Sequence, residues 1–522
     1  MASSSRFAAS AGLIAVFTLT SRVFGLAREV VFSYFFSTSE LLSAFRTAFQ
    51  IPNLARRLFG EGALSAAMIP TLTDSLKERG EEPSRRFVGS LLVALVLTLG
   101  LAVVLAELVI AGWRTVEDDL ALELTALLLP YAALICAAAV AGGVLNVRRH
   151  FAVPAALPIL LNIAIVLAVV VGATTLGLSG PRLMYLIGYA VLAAGIAQVL
   201  VTLLALRRIS FFPLFNVSFR DPYMGRVVRL MAPMVLGLAA VQINTLADVV
   251  IAYLFVFSED GQRVGPAVLG YAHFLYQLPL GVMGISIATA VFPVLSAKAA
   301  EGDRVGLAST LSRGVRMALL VALPSSVGLM LVAEPLVASL FERGEFDAVA
   351  TGRVSSTLFL YSAGLVAYFL QHLVVRAFYA LKDSATPARA ALVMVVVNLG
   401  LNLSLVFVME ERGLALATAV CATIQVVWLM FRLRRVLPEL RWRSLWPDVW
   451  RMVAATGGMA AALLTLTHTS FLWHVVGTSP PVRLAVLIVV GVVVYALGAF
   501  ALGLKGLAAS LRPGKDSGSR TS

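Results

Sequence analysis

Charge is scarce in this chain. Asp, Glu, Lys and Arg together make up 13% of 522 residues, about half the share that an ordinary soluble protein carries. Cysteine is nearly missing as well: Cys136 and Cys421 are the two present, both inside apolar runs, so no disulfide framework exists. The five histidines, His150, His273, His372, His468 and His474, are scattered without metal-ligand spacing. There is no phosphate-cradling Gly-rich loop, no nucleophile elbow and no HExxH, and nothing therefore points to an enzyme or an ATP-driven pump. Strand-period alternation bounded by turns is missing too, which argues against a transmembrane barrel.

What the chain has in abundance is apolar surface. Hydrophobic residues make up 60% of it, far more than one soluble core could bury. The reading is an all-α polytopic membrane protein. Runs of about 20 apolar residues predict fourteen helices, near 8–36, 39–73, 86–112, 119–146, 154–178, 181–207, 225–257, 264–298, 304–333, 348–381, 387–409, 412–435, 446–469 and 482–505. Arg6 precedes an apolar run in the manner of a signal peptide, but Arg22 and Arg28 follow with no small-residue cleavage site, so the segment reads as the first span.

Basic residues test this count independently. Lys77, Arg79, Arg85, Arg86, Arg148, Arg149, Arg207, Arg208, Arg220, Lys298, Arg304, Lys382, Arg432, Arg434, Arg435, Arg441 and Arg443 fall in loops after even-numbered helices. Odd loops hold little beyond Arg114, Arg182, Arg263, Arg343, Arg412 and Arg483. The positive-inside rule then places both termini and all even loops in the cytoplasm. The net charge of +13 is on this reading topological. A nucleic-acid partner is not expected, because the basic residues are dispersed among loops.

An internal repeat organises the helices. "GALSAAMIPTL", 62–72, ends the second helix much as "GISIATAVFPVL", 284–295, ends the eighth, and "NVRRHFAVPAAL" corresponds to "YALKDSATPARA" in the tenth-to-eleventh turn. The offset is six helices, an even number, so the two copies share an orientation. That is a transporter-type arrangement with a substrate site expected between the lobes. The expected layout is a six-helix lobe at 1–208, a cytoplasmic linker at 209–224, a second six-helix lobe at 225–437, a C-terminal helix pair at 438–506 and a cytoplasmic tail at 507–522.

Charges inside the spans are the candidate site. In "IPNLARRLFGEGALSAAMIP", 51–70, a turn of 100° per residue puts Asn53, Arg57 and Glu61 on one polar stripe, with Arg56 about 100° away from Arg57. Arg57 has Glu61 at i+4, whereas Arg56 has only Gly60 there. The expectation is that Arg57 and Glu61 form a structural pair while Arg56 faces a wet cavity. The alternative is that both arginines snorkel to the headgroups. On helix one, "SRVFGLARE" sets Arg22 and Arg28 about 120° apart, with Glu29 within about 20° of Arg22's face. Arg22, Arg28, Arg46 and Arg56 exposed to lipid would cost on the order of 10 kcal/mol together, so an enclosed or aqueous setting is expected. Guanidinium groups of this kind suit an anion, and phosphate especially.

At these residues the chain resembles a known family. "SRVFGLARE", "AFQIPNLARRLFGEGALSAAMIPTL", "YQLPLGVMGISIATAVFPVLS" and "RAFYALKDSATPARAAL" are similar to signature segments of the MurJ (MviN) family, the lipid II flippases of the MOP exporter superfamily. The resemblance runs over helices one to twelve, and the extra helix pair matches that family's layout. It implies transfer of the undecaprenyl-diphosphate-linked peptidoglycan precursor from inner to outer leaflet of the cytoplasmic (inner) membrane by alternating access, a role in cell-wall synthesis and cell shape. It also implies that Arg22, Arg28 and Arg56 handle the diphosphate and that the last helix pair helps form a lipid-tail groove; Glu29, Arg46 and Asn53, read from their helical positions, complete the candidate substrate-binding set. Two departures stand out: "YAHFL" places His273 and Phe274 where the family has an acid and an arginine, and Ser43 stands where it often has an aspartate. Arg46, one turn after Ser43, is a candidate replacement cation.

A second polar set comprises Asp248, Asn398, Asn402 and Thr418, oxygen-bearing groups within apolar runs. Hard oxygen ligands suit a small monovalent cation, sodium or a proton in a coupling role; interhelical hydrogen bonds are the structural alternative. No other cofactor is expected. A monomer is expected, in contact with membrane lipid and with cell-wall synthesis proteins as candidate partners. Two competing functions are a cation-coupled multidrug exporter of the same superfamily, which calls for acidic chemistry, and a degenerate scaffold that does not transport.

Overall fold

The computed structural model describes residues 2–60, 62–114, 119–215, 221–468 and 479–504, and for 2–15 the backbone alone. Among them the chain is helical almost throughout, with one isolated β-bridge, Phe257 to Arg263. The helices are α1 (Ala2–Phe36), α2 (Glu40–Ala55), α3 (Ala63–Arg79), α4 (Glu81–Arg114), α5 (Leu120–Val147), α6 (Ala152–Thr174), α7 (Gly180–Arg208), α8 (Pro222–Phe255) and α9 (Gly265–Pro279). They continue with α10 (Ile285–Ala300), α11 (Arg304–Leu331), α12 (Ala333–Phe341), α13 (Ala348–Ala363), α14 (Leu365–Ala380), α15 (Ala385–Val436), α16 (Trp446–His468) and α17 (Pro480–Ala501). Nine helical segments are long and apolar enough to cross a membrane among the described residues, or ten if the pair α13 and α14, bent by 42°, is taken as one span.

Several expected spans are broken, for local reasons. The run expected at 39–73 is interrupted by a π-turn, Arg56–Gly60, between α2 and α3. Pro52 lies inside α2, one turn before it. The corresponding run of the repeat carries the same device, the π-turn Leu280–Gly284 directly after Pro279. The expected 304–333 helix ends at Leu331, and α12 restarts at Ala333. α15 is 52 residues long, about 78 Å at 1.5 Å per residue and so two membrane thicknesses. Its helical path is broken at Glu410, with φ 52° and ψ −134°, where the sequence predicts a turn.

The chain forms two compact units, Met1–Ala267 with Arg343–Phe346, and Val268–Glu342 with Asp347–Ser522. α8, which the repeat assigns to the second lobe, lies in the first unit and packs on α2 and α3. In the first unit α5 is the hub, against α2, α4 and α7. Its sequence is rich in Ala and Gly, which lets neighbours approach closely: Gly143 packs against Met68 of α3. A buried cluster including Leu64, Met68, Phe87, Val140, Val144 and Phe211 forms the core there. In the second unit α11 packs on α10, α13, α14 and α16, and the C-terminal pair α16 and α17 is seated on α11 and α12 through Val332, Met459, Leu463 and Leu487.

Candidate functional site

The first unit gathers its buried charges where α1, α2 and α6 meet. Glu29 is buried, and its two carboxylate oxygens are divided between two arginines. Arg28 Nη2 donates to Oε1 at 2.7 Å and Arg46 Nη2 to Oε2 at 2.6 Å. Arg28 also donates from Nη1 to Asn162 Oδ1 of α6 at 3.1 Å, and its Cζ lies 6.0 Å from the Phe32 ring centroid. Two guanidinium groups thus share one carboxylate, and the constellation keeps a positive charge in excess. Arg28 Nε is buried and makes no hydrogen bond among the described residues.

This geometry adds to the angular reading of helix one. Glu29, on Arg22's face of the helix by that reading, serves Arg28 and Arg46. The reason is that α2 brings a second arginine from another element, which a single-helix wheel cannot contain. Arg22 is half-buried and makes no hydrogen bond or ion pair among the described residues. Ser43 is fully buried, and its hydroxyl accepts from Ala267 N at 3.3 Å. A charged group in place of this hydroxyl would have to be desolvated, so Ser43 fits its surroundings.

The dyad is corrected. Asn53 was expected to share a stripe with Arg57, and Arg56 to have no partner in its own helix. In the structure Asn53 Oδ1 accepts from Arg56 Nε at 3.2 Å and Nη2 at 2.8 Å. This is an i, i+3 contact, which ordinary helical spacing allows; the π-turn that begins at Arg56 upsets the 100° increment only for the residues after it. Arg57 Nη1 points to Gln242 Oε1 on α8 at 3.4 Å. Glu61, its expected partner, lies outside the described residues. Gly60, expected to leave space beside Arg56, packs against Ala139 of α5 and the Arg56 stem.

The remaining expected residues fall in different places. Asn398 and Asn402 are both buried on α15 and bond to each other, Asn402 Nδ2 donating to Asn398 Oδ1 at 2.9 Å. Asn398 Nδ2 finds no hydrogen-bond partner among the described residues. Thr418 donates to Leu414 O of its own helix at 3.0 Å. These three belong to the second unit, while Asp248 is half-buried on α8 in the first. No group of three or more His, Cys, Asp or Glu that could hold a metal occurs among the described residues. His273 contacts the Tyr276 hydroxyl through Nδ1 at 3.3 Å and Gln277 through Nε2, and packs edge-on against Tyr276 and Tyr361. An aromatic and amide setting thus surrounds the position where the resemblance led us to expect a carboxylate.

Two partners escaped the sequence reading, Asn162 and Gln242. Each is a buried amide, and Asn162 is the one amide in the otherwise apolar α6. That isolation is the signal that could have found it, since a buried polar side chain in a span requires a partner.

A polytopic helical bundle with half-buried arginines in its first unit is the architecture of a membrane transporter for an anionic cargo. The chain belongs to the MurJ lipid II flippase family, whose model matches residues 32–484. A lipid II flippase MurJ of Burkholderia cenocepacia is 31% identical over 494 residues, covering 90% of this chain and 92% of that protein. A probable lipid II flippase MurJ of Vibrio cholerae is 31% identical over 522 residues, covering 96% and 97%. Among solved structures, a lipid II flippase MurJ in an inward closed conformation superposes with a TM-score of 0.76 at 23% identity, covering 96% of this chain and 100% of that one. An inward-facing multidrug resistance MATE family transporter of the MOP superfamily gives 0.64 at 17% identity, covering 80% and 97%. These two likenesses show the shared fold.

Proposed function

We propose that this protein is a flippase for lipid II, moving the undecaprenyl-diphosphate-linked peptidoglycan precursor across the cytoplasmic membrane by alternating access. The reading rests on family membership. The observation that carries its chemistry is the Arg28–Glu29–Arg46 constellation, which holds guanidinium groups oriented and net positive inside an apolar bundle. Bidentate donors in a low-dielectric setting bind a diphosphate strongly. Glu29 holds the two arginines apart from lipid and stays paired while a phosphate exchanges at their remaining N–H groups. No bond of the cargo is made or broken in this cycle, so the protein works as a transporter and not as an enzyme.

Within this reading the chain has fourteen spans, both termini in the cytoplasm, and acts as a monomer. Asp248 is the coupling group, for sodium or a proton; Asn398, Asn402 and Thr418 form a separate set of oxygen-bearing groups in the second unit. A carboxylate placed within an apolar span supports such a role. The multidrug exporter alternative calls for acids where this unit carries arginines, which favours the flippase. The deciding experiment is complementation of a strain depleted of its own lipid II flippase. The wild-type chain should restore growth, and Arg28→Ala should abolish rescue at normal inserted levels. A chain that inserts normally and never rescues is a scaffold, and the proposal fails.

A further inference from the structure

An apolar groove opens on the first unit between α4, α5 and α7, with ≈ 280 Å³ of free space. Leu92, Val93, Val96 and Leu97 form one wall, Val199 and Leu203 the other, and Ala137 and Ala141 the floor. The alanines create the depression: small side chains on α5 lie between larger ones on its neighbours. Its end is closed by Phe215, and that closure is built rather than incidental. The segment before Phe215 is tied across α4, with Arg85 Nε donating to Phe212 O at 2.7 Å and Leu214 N donating to Arg85 O at 3.1 Å. Gly89 permits the crossing, because a Cβ there would collide with the Leu214 carbonyl.

The same helices carry arginines at that end, on the groove's own face. Arg207 follows Leu203 and Val199 at i+4 and i+8, and Arg86 precedes Val93 by seven residues, spacings that keep each set on one stripe of its helix. Several other arginines of this end are engaged: Arg79 with Asp221, Arg86 with Glu82, Arg148 with Glu81 and Arg226 with Asp74. Arg207 and Arg208 are exposed and make no hydrogen bond or ion pair among the described residues.

An apolar slot ending in free guanidinium groups matches an amphiphile with an acyl chain and an anionic head. We infer that this groove is a binding site for one anionic diacyl phospholipid, its chain along Val96, Leu203 and Ala141 and its phosphate at Arg207 and Arg208. This site lies outside the Arg28–Glu29–Arg46 constellation and does not depend on the transport reading. Lipid tails alone give no selectivity, since any phospholipid supplies them; the arginines do, each contributing through attraction to anionic headgroups.

The test uses the full chain, delipidated in detergent and re-equilibrated with equal amounts of phosphatidylglycerol and phosphatidylcholine of identical chains. Lipid retained per protein after washing is then counted by mass spectrometry. Wild type should keep phosphatidylglycerol in preference. Arg207→Gln with Arg208→Gln should lower its retention roughly 30-fold, to the level of phosphatidylcholine. Val96→Trp should fill the slot and remove both lipids, while Val104→Trp, at an exposed site on the same helix beyond the slot, should leave retention as in wild type. Circular dichroism melts keep a misfolded variant from being counted. Equal retention of the two lipids by wild type overturns the proposal, as does a Val96→Trp chain that keeps its phosphatidylglycerol. Displacement by glycerol 1-phosphate would reveal a bare phosphate site, and displacement by undecaprenyl diphosphate a cargo site; either result also overturns it.

Discussion

Asn53 Oδ1 accepts two hydrogen bonds from Arg56, from Nε at 3.2 Å and from Nη2 at 2.8 Å, at the residue where α2 gives way to a π-turn. The amide holds one edge of the guanidinium plane and thereby sets where the rest of its donors point. Pro52 and the π-turn set the backbone; Asn53 sets the side chain. Arg56 is thus held by Asn53 along one edge of its guanidinium.

Removing that positioning should separate stability from transport. Asn53→Ala should lower stability by about 1 kcal/mol, the scale of a part-exposed hydrogen bond, and leave the inserted amount near normal. Complementation should drop of order tenfold or more, because a cargo group misplaced by an ångström is costly. Arg56→Lys should not restore it, since an ammonium group lacks the planar fork. Full activity in Arg56→Lys would show that charge alone suffices.

Glu29 gives the opposite case. Its carboxylate is buried between Arg28 and Arg46, with 6% of its side chain exposed. Glu29→Gln would leave two guanidinium groups without their shared counter-charge, at a cost of about 3 to 5 kcal/mol. The inserted amount should fall sharply. Adding Arg46→Gln to it should recover much of the loss, because Arg28 keeps Asn162 as an acceptor. If the double variant is no more abundant than the single one, the three groups are not energetically coupled.

Asp248 carries the coupling proposal. Asp248→Asn keeps the side chain's size and removes its charge. Transport by reconstituted protein should then lose its dependence on the sodium or proton gradient, while binding of the lipid-linked cargo is retained. The check is to collapse each gradient in turn in wild type and variant; an unchanged dependence makes Asp248 a hydrogen-bonding residue only.

How much of this was legible beforehand depended on whether one helix held the information. The spans were readable because apolar length is a local property, and the repeated segments "GALSAAMIPTL" and "GISIATAVFPVL" both proved to follow π-turns, Arg56–Gly60 and Leu280–Gly284. Arg28, Arg46 and Glu29 were readable as costly charges. Their pairing was not, since Arg46 arrives from α2 and Asn162 from α6, and no helical wheel spans three helices. The partner of Arg56 was missed because only its i+4 neighbour, Gly60, was weighed, whereas Asn53 stands at i−3. The break at Glu410 was legible as a turn between two apolar runs, but not the strain within it.

That strain yields a paired prediction on neighbouring residues. Glu410 has φ 52° and ψ −134°, a region that a side-chain-bearing residue occupies at a cost of about 1 to 3 kcal/mol. What it gains in return is small: its carboxylate meets Arg353 Nη2 at 2.9 Å with 51% of the side chain exposed, a pair worth at most about 1 kcal/mol. Glu411 is the reverse. It is buried, and Arg353 grips it bidentately along one guanidinium edge, Nε to Oε1 at 2.9 Å and Nη2 to Oε2 at 2.7 Å. Glu410→Gly should therefore leave stability unchanged or raise it by about 1 kcal/mol, because glycine adopts this conformation freely. Glu411→Gln should lower it by about 3 kcal/mol or more, stranding a mostly buried arginine. Thermal unfolding of the two purified variants in the same detergent measures the difference. If Glu410→Gly proves the more damaging change, Arg353 draws its stabilisation from the exposed carboxylate and the backbone strain is slight.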